Sequence, residues 1–353
     1  MNLIINLLLP SKPQKTIRNV VCCVITMFLS LSCIDNDLNP RPYVIAEFSN
    51  QIQGYVMFQE ENRAYVSITH GPMFNEITDV YRVDLLNGIK TLIFSTEGYA
   101  RKFVVSSDEK FLSISVVTQS STSGSTTRLE LFDMITEDKT VLKISDLFIV
   151  PCAFDNQNTT LLYSIYENNE NKIRKINLAS ENDTIIPGNP SGVVLAIDPI
   201  TMNILIQSSG EAYFINWEGD IIGEKIKGFT PWLLSPDGKK ITGYIDKFVD
   251  VNGESIYFRD IIFYTIATKS VDVLISSENP FFSLTSLSTD QNLALCGVGD
   301  LYVLNTTTLK KYQLMSTRRE EIGVGFFDEN KQVLFISGDD AHILYGIKLA
   351  ELD

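Results

Sequence analysis

The sequence predicts an all-β fold, a seven-bladed β-propeller closed by its N-terminal strand, with six or eight blades as alternative counts. Three observations carry this. Asp-centred turns recur along the chain. The fullest copy, Trp232-Leu-Leu-Ser-Pro236-Asp237-Gly238-Lys-Lys-Ile-Thr-Gly-Tyr, reads as a strand, a tight turn and a second strand. Shorter copies centre on Asp108, Asp155, Asp198, Asp290 and Asp328, roughly 38 to 53 residues apart, the length of one four-stranded blade. Strand formers dominate, with 20 Phe and 14 Tyr beside abundant Val, Ile and Thr, and no long stretch repeats with the helical period. Finally, the last repeat is one strand short, while an unclaimed strand-like segment, 43–48, stands at the other end of the fold.

Each repeat divides into strands a to d, with a innermost. The first spans 54–58, 64–68, 80–84 and 90–94, and its turn at 59–63 lacks the Asp-Gly pair. The second has strands at 102–105, 111–117, 128–133 and 139–144. Tyr163, Ile165, Ile173 and Ile176 mark the middle strands of the third. The fourth contains 204–206, 212–216 and 221–224, with a hairpin turn at Trp217-Glu-Gly-Asp220. The fifth has 261–266 and 271–275 after a long insertion, and the sixth 301–305 and 310–314. The seventh offers 322–327, 332–336 and 343–349. Segment 43–48 would supply its outer strand and close the ring, leaving no open sheet edge.

The stretch Ser235-Pro236-Asp237-Gly238-Lys239-Lys240 resembles the turn of WD-repeat-like bacterial propellers. That group includes the propeller of the Tol-system periplasmic protein and the propeller domains of dipeptidyl peptidases. The resemblance covers roughly 43–353 as a pattern and is close in one repeat. It implies the fold and leaves the activity open.

Residues 1–32 are expected to be a lipoprotein signal peptide, 33–42 a tether and 43–353 the propeller. Lys12, Lys15 and Arg18 form a basic start, and 20–31 is apolar but short for a bilayer span. Leu29-Ser30-Leu31-Ser32-Cys33 resembles a lipobox, making Cys33 the lipid-attachment residue. An uncleaved anchor or a plain signal peptide is the competing reading. Asp35 and Asp37 resemble the surface-export signal of Bacteroidota lipoproteins, or an ordinary solvated linker. The expected location is therefore the cell envelope, as an outer-membrane lipoprotein held to the membrane through Cys33.

The formal net charge of −14 speaks against a nucleic-acid partner, which needs a concentrated basic face. Cleavage before Cys33 also removes Cys22 and Cys23. Cys152 and Cys296 then remain, in different repeats, and are expected to be small buried hydrophobes without a disulfide. His70 and His342 lack zinc-ligand spacing, Asp339-Asp340 reads as a solvated turn, and no Gly-x-Ser-x-Gly elbow occurs. No cofactor or metal is implied.

Propellers usually bind on the face made by b–c and d–a loops. The longest b–c loops are expected at 69–76, 119–127 and 246–260. The d–a segments supply Tyr99 and Arg101, Phe229 and Trp232, Phe281 and Phe282, and Arg318 and Arg319. Aromatics beside Arg suit planar or anionic ligands, sugars included. The ligand-binding expectation centres on Tyr99, Arg101, Trp232, Phe282 and Arg318, against the competing reading of inter-blade packing. The favoured function is a non-catalytic propeller that binds a protein or glycan. The alternative is a glycan lyase or hydrolase using channel-mouth carboxylates and Arg.

Overall fold

Strands that are apolar on both sides are satisfied only when each sheet is sandwiched between two others, and a ring of radial blades does this for every sheet. The computed structural model describes residues 43–58, 62–120, 124–188, 190–298, 300–316, 322–327, 333–337 and 342–349. These form seven four-stranded antiparallel sheets. Strand β1 (Tyr43–Glu47) is followed by blade I: β2 (Ile52–Phe58), β3 (Arg63–His70), β4 (Ile77–Asp84) and β5 (Lys90–Glu97). Blade II comprises β6 (Tyr99–Val105), β7 (Phe111–Ser120), β8 (Gly124–Asp133) and β9 (Lys139–Ser145). Blade III comprises β10 (Ile149–Phe154), β11 (Thr160–Glu167), β12 (Glu170–Asn177) and β13 (Asp183–Ile185). Blade IV has β14 (Val193–Ile197), β15 (Ile204–Ser208), β16 (Glu211–Ile215) and β17 (Ile221–Ile226). Blade V has β18 (Thr230–Leu234), β19 (Lys240–Val251), β20 (Glu254–Thr265) and β21 (Ser270–Ser277). Blade VI has β22 (Ser283–Leu287), β23 (Leu293–Val298), β24 (Asp300–Asn305) and β25 (Lys311–Ser316). Blade VII joins β26 (Ile322–Phe327), β27 (Val333–Ser337) and β28 (Ile343–Ile347) to β1.

The ring closes as the sequence predicts. β1 pairs antiparallel with β28, Tyr43 opposite Gly346 and Glu47 opposite Ile343. Phe48 N donates to His342 O at 2.8 Å. Ile45, Ala46, Phe48 and Leu344 of blade VII then bury against Ala64, Val66, Ile68 and Val83 of blade I. The other core clusters also bridge successive blades. Tyr65 and Phe94 pack on Phe103 and Phe132, and Leu162 and Ile173 on Ile204 and Tyr213. Buried Glu130 of blade II is bridged by Arg128 Nε at 2.9 Å and by Thr96 Oγ1 of blade I at 2.7 Å.

The a–b turns show why one copy looks stronger than the rest. In five blades the backbone N of a turn residue donates to the carbonyl five residues on: Ser106 to Phe111, Asp155 to Thr160, Asp198 to Asn203, Ser235 to Lys240 and Ser288 to Leu293. Asp155 and Asp198 therefore occupy the position of a Ser, two residues before Asp108, Asp237 and Asp290. The sequence alignment on Asp is corrected by that offset. In the Ser-x-Asp form, Ser235 Oγ donates to Asp237 Oδ1 at 2.8 Å and accepts from Lys240 N at 2.8 Å. The same pair recurs at Ser106–Asp108 and Ser288–Asp290. Burial opposes ionisation of Asp237, but hydrogen bonds from Ser235, Lys239 N and Gln291 outweigh it and hold its carboxyl at about 2.

Three residues after the turn start, φ is positive at Glu109, Asn158, Gly238 and Gln291. Only Gly takes that conformation without strain, so the Gly238 copy alone looks complete in sequence. These residues also reach the preceding blade. Glu109 accepts from Arg63 Nη1 and Tyr65 of blade I, and Asn158 bonds Ser107 of blade II. A Cβ on Gly238 would lie 2.6 Å from Asp198 Oδ1 of blade IV.

Two expected loops are largely strand instead. Residues 119–120 and 124–127 belong to β7 and β8, and 246–260 to the β19–β20 hairpin; the ladders run from Phe111↔Asp133 to Ser120↔Gly124 and from Lys240↔Thr265 to Val251↔Glu254. Asn252 and Gly253 turn the second hairpin with positive φ at both residues, which matches the twist of the flanking strands.

Candidate ligand-binding face

In a four-stranded antiparallel blade, the b–c turn and the d–a connection emerge at one rim, and the a–b and c–d turns at the other. We call these the loop rim and the turn rim. Near its loop-rim end, every innermost strand breaks register against strand b. The shifts fall between Ile52/Gly54, Ala100/Lys102, Pro151/Ala153, Val194/Ala196, Pro231/Leu233, Leu284/Ser286 and Ile322/Gly325. A bulge turns its extra residue out of the alternation and re-aims it. In blades I to VI that residue is Gln53, Arg101, Cys152, Leu195, Trp232 and Thr285. Arg101 and Trp232 are thus equivalent, as the sequence predicts, but both lie inside strands rather than in d–a loops.

Counting from the bulge also explains the aromatics. Three residues before it stand Ile149, Phe229 and Phe282, all buried. One residue earlier stand Phe148 and Phe281, both exposed. Phe282, 6% exposed, packs with Ile261, Phe263 and Leu284, whereas Phe281 is 72% exposed. The expectation that Phe282 faces a ligand is corrected: it belongs to the packing between blades V and VI. Trp232 is half-buried, edge-on to Tyr244 at 5.7 Å between ring centres. Arg318 and Arg319, Asp328, Asp339 and Asp340, and Cys33 with the whole of 1–42 lie outside the described residues.

Around Arg101 the loop rim forms a small cluster. Its guanidinium is exposed and lies 5.9 Å from the Tyr99 ring centre and 5.1 Å from that of Phe148. Arg63, Arg128, Arg174 and Arg259 are each ion-paired, but Arg101 has no carboxylate partner among the described residues. Tyr166 N donates to Phe148 O at 3.0 Å, setting two exposed aromatics on neighbouring strands. At Gly98, a cavity of about 360 Å³ opens among Phe74, Glu76, Ile77, Glu97 and Gln119. Phe74 holds φ at 74°, a strained conformation for an aromatic residue, in a loop fastened by Gly98 N to Glu76 O at 2.7 Å.

The second cluster stands on blade V. Arg259 lies 3.8 Å from the Tyr244 ring centre and pairs bidentately with Asp246, Nε to Oδ1 at 2.7 Å and Nη2 to Oδ2 at 2.9 Å. The Arg259 bond, and a further one from Tyr257, hold the Asp246 carboxyl below its ordinary value against the cost of burial. Beyond this pair the hairpin presents Phe248, 73% exposed. Phe74, Phe148, Tyr166, Phe248 and Phe281 are the exposed large aromatics among the described residues, and all five stand on the loop rim.

Sequence reasoning missed Phe148, although Phe148-Ile149 precedes its bulge just as Phe281-Phe282 does. It also missed Arg259, which it placed inside an expected loop. Cys296 is fully buried, and its thiol is pushed up to about 12 by that burial. Cys152, at its bulge, is only half-buried. His70 meets Asp79 at 3.0 Å, and among the described residues no three His, Cys, Asp or Glu side chains converge in a metal-binding group.

No protein-family model matches the chain, and no curated protein sequence does. Solved structures do. The β-propeller domain of Cps50 (Swd1) from Myceliophteria thermophila matches with a TM-score of 0.59 at 10% identity, over 87% of this chain and 99% of that one. The propeller domain of the Trilobed protease from Pyrococcus furiosus gives 0.56 at 12% identity, over 85% and 96%. Oligogalacturonate lyase from Vibrio parahaemolyticus gives 0.53 at 14% identity, over 89% and 100%. At such identities the likeness speaks for architecture alone: the chain folds as a seven-bladed β-propeller.

Proposed function

We propose that the protein is a non-catalytic propeller of the cell envelope, tethered through Cys33, that binds a protein or glycan partner on its loop rim. The observation that carries this reading is that all five exposed large aromatics among the described residues stand on one rim, and that one of them, Phe148, lies beside Arg101, which has no carboxylate partner among those residues. Exposed aromatics collected on one face mark interaction surfaces more than singly scattered ones do, and aromatic and Arg anchors dominate binding energetics. The Tyr99–Arg101–Phe148 cluster suits a ligand that brings a carboxylate or a planar group, and the cavity between Phe74 and Gly98 suits a side chain or sugar ring. The lipobox-like stretch supports lipidation at Cys33, and acyl chains there would contribute about 0.8 kcal/mol of membrane anchoring per buried methylene.

A glycan and peptide array probed with the full chain tests the binding reading. Arg101→Ala and Trp232→Ala are expected to weaken a retained ligand by about 1–3 kcal/mol each. Full retention in both folded variants moves the site elsewhere. Fatty-acid probe labelling that persists in Cys33→Ala refutes the anchor.

A further inference from the structure

We infer a second binding site on the opposite rim, in the groove between blades III and IV, built for an uncharged polyhydroxyl ligand such as a neutral oligosaccharide. The groove is a cavity of about 600 Å³, within the range of small-ligand sites. It is lined by the a–b and c–d turns of both blades and by β13. That outer strand has three residues where β5, β9, β17, β21 and β25 have six to eight, leaving little outer strand along this side of blade III.

Most of the residues lining it are polar, and several are uncommitted. Asn156, Gln157, Asn182, Thr184 and Asn203 line it, and their side chains have no hydrogen-bond partner among the described residues. They come from three segments: the blade III a–b turn, the approach to and middle of β13, and the residue before β15. Other amides on this rim hold their own turns. Asn177 Oδ1 caps Ser180, and Asn216 Oδ1 accepts from Glu218 N and Asp220 N. Five free donor–acceptor groups facing one groove are therefore not a by-product of turn building.

An amide carries a donor and an acceptor side by side, and a hydroxyl is both at once, so such groups match vicinal hydroxyls pairwise. The aromatic wall is Trp217, one of only two Trp in the chain. Its Nε1 donates to Met202 O at 2.9 Å, which fixes the half-buried ring against the groove. A pinned indole offers a flat apolar surface for the C–H face of a sugar ring.

Charge points the same way. The one cation in the wall, Lys175, donates to Trp217 O at 2.7 Å. Asp155 is committed to Thr159 and Thr160 of its own turn. Glu218 stands alone as an exposed acid, so an anionic ligand finds no free counter-charge. The groove between blades V and VI gives the contrast. Its lining includes Asp237, Lys239, Asp272 and Asp290, and both of its amides are engaged, Gln291 with Asp237 and Asn292 with Asp290.

Calorimetric titration of the full chain with cellohexaose, maltohexaose and mannohexaose tests this, with hexagalacturonate and a glucosamine hexamer as charged probes. At least one neutral hexasaccharide is expected to bind. Gln157→Ala and Asn182→Ala are both exposed substitutions, checked for unchanged melting. Each should weaken that ligand about tenfold, the double variant should abolish binding, and Arg101→Ala on the loop rim should leave it unchanged. The inference is overturned if no neutral hexasaccharide binds, if a charged probe binds better, or if the double variant retains affinity. Because Arg101→Ala reports on the other rim, this result and the fate of the loop-rim reading stay separate.

Discussion

The two rims use their side chains differently. On the turn rim, Ser106, Ser235 and Ser288 with Asp108, Asp237 and Asp290 hold their own turns, while Glu109, Asn158 and Gln291 hold the preceding blade. Its exposed apolar residues are aliphatic: Leu86, Ile89, Ile135, Ile200 and Leu309. On the loop rim, strand bulges turn Arg101 and Trp232 out of the ladder, and five aromatics face water. The contrast separates residues that hold the ring together from residues left available for something else. Outside the groove between blades III and IV, turn-rim substitutions should change stability and leave loop-rim binding alone. Exposed loop-rim substitutions should do the reverse.

Ring closure sets the largest expected effect. Deleting residues 43–48 exposes the edge of β28 and removes the buried Ile45, Ala46 and Phe48. The truncated chain should fail to accumulate as soluble protein, and one that melts like the intact chain would contradict closure by β1.

Next comes a pair of neighbours on the loop rim. Phe282→Ala should destabilise by about 3–5 kcal/mol in denaturant unfolding, as for a buried aromatic, whereas Phe281→Ala should change stability by less than about 0.5 kcal/mol. Equal losses would erase the register argument built on the bulge.

On the turn rim, Gly238→Ala should cost about 1–3 kcal/mol. Its φ of 70° strains any side chain, and the added Cβ meets the Asp198 carboxylate. A neutral result would mean the turn relaxes freely.

A smaller effect comes from acid. The Asp237 carboxyl is held at about 2, below its unfolded value, so its contribution is present above about pH 4 and lost as pH falls toward 2. Asp237→Asn should flatten the fall in melting temperature over that window while leaving loop-rim binding at neutral pH unchanged. A variant as acid-sensitive as the parent would assign the loss to other groups.

Much of this architecture was legible because turn chemistry and two-sided apolar strands are local signals. The Gly238 turn and the unclaimed segment 43–48 were enough to predict blades and closure. Side-chain direction was less legible. One extra residue in each innermost strand flips the alternation, and nothing in Thr230-Pro-Trp232 or Tyr99-Ala-Arg101 announces the bulge. Hence the sequence does not distinguish buried Phe282 from exposed Phe281, nor reveal that Phe148 matches Phe281. Asp155 and Asp198 align with Asp108 in sequence because Asp serves at either of two turn positions two residues apart. The amide groove was invisible, since its residues are scattered over 156–203 and meet only through the packing of two blades.

The most direct test of the loop rim as the ligand face is hydroxyl-radical footprinting of the full chain, with and without a ligand whose binding requires Arg101. Protection is predicted at Phe74, Phe148, Tyr166 and Phe281, with Trp217 reacting at an unchanged rate. Protection confined to Trp217 and Ile200 on the turn rim, with those four unprotected, would contradict the account.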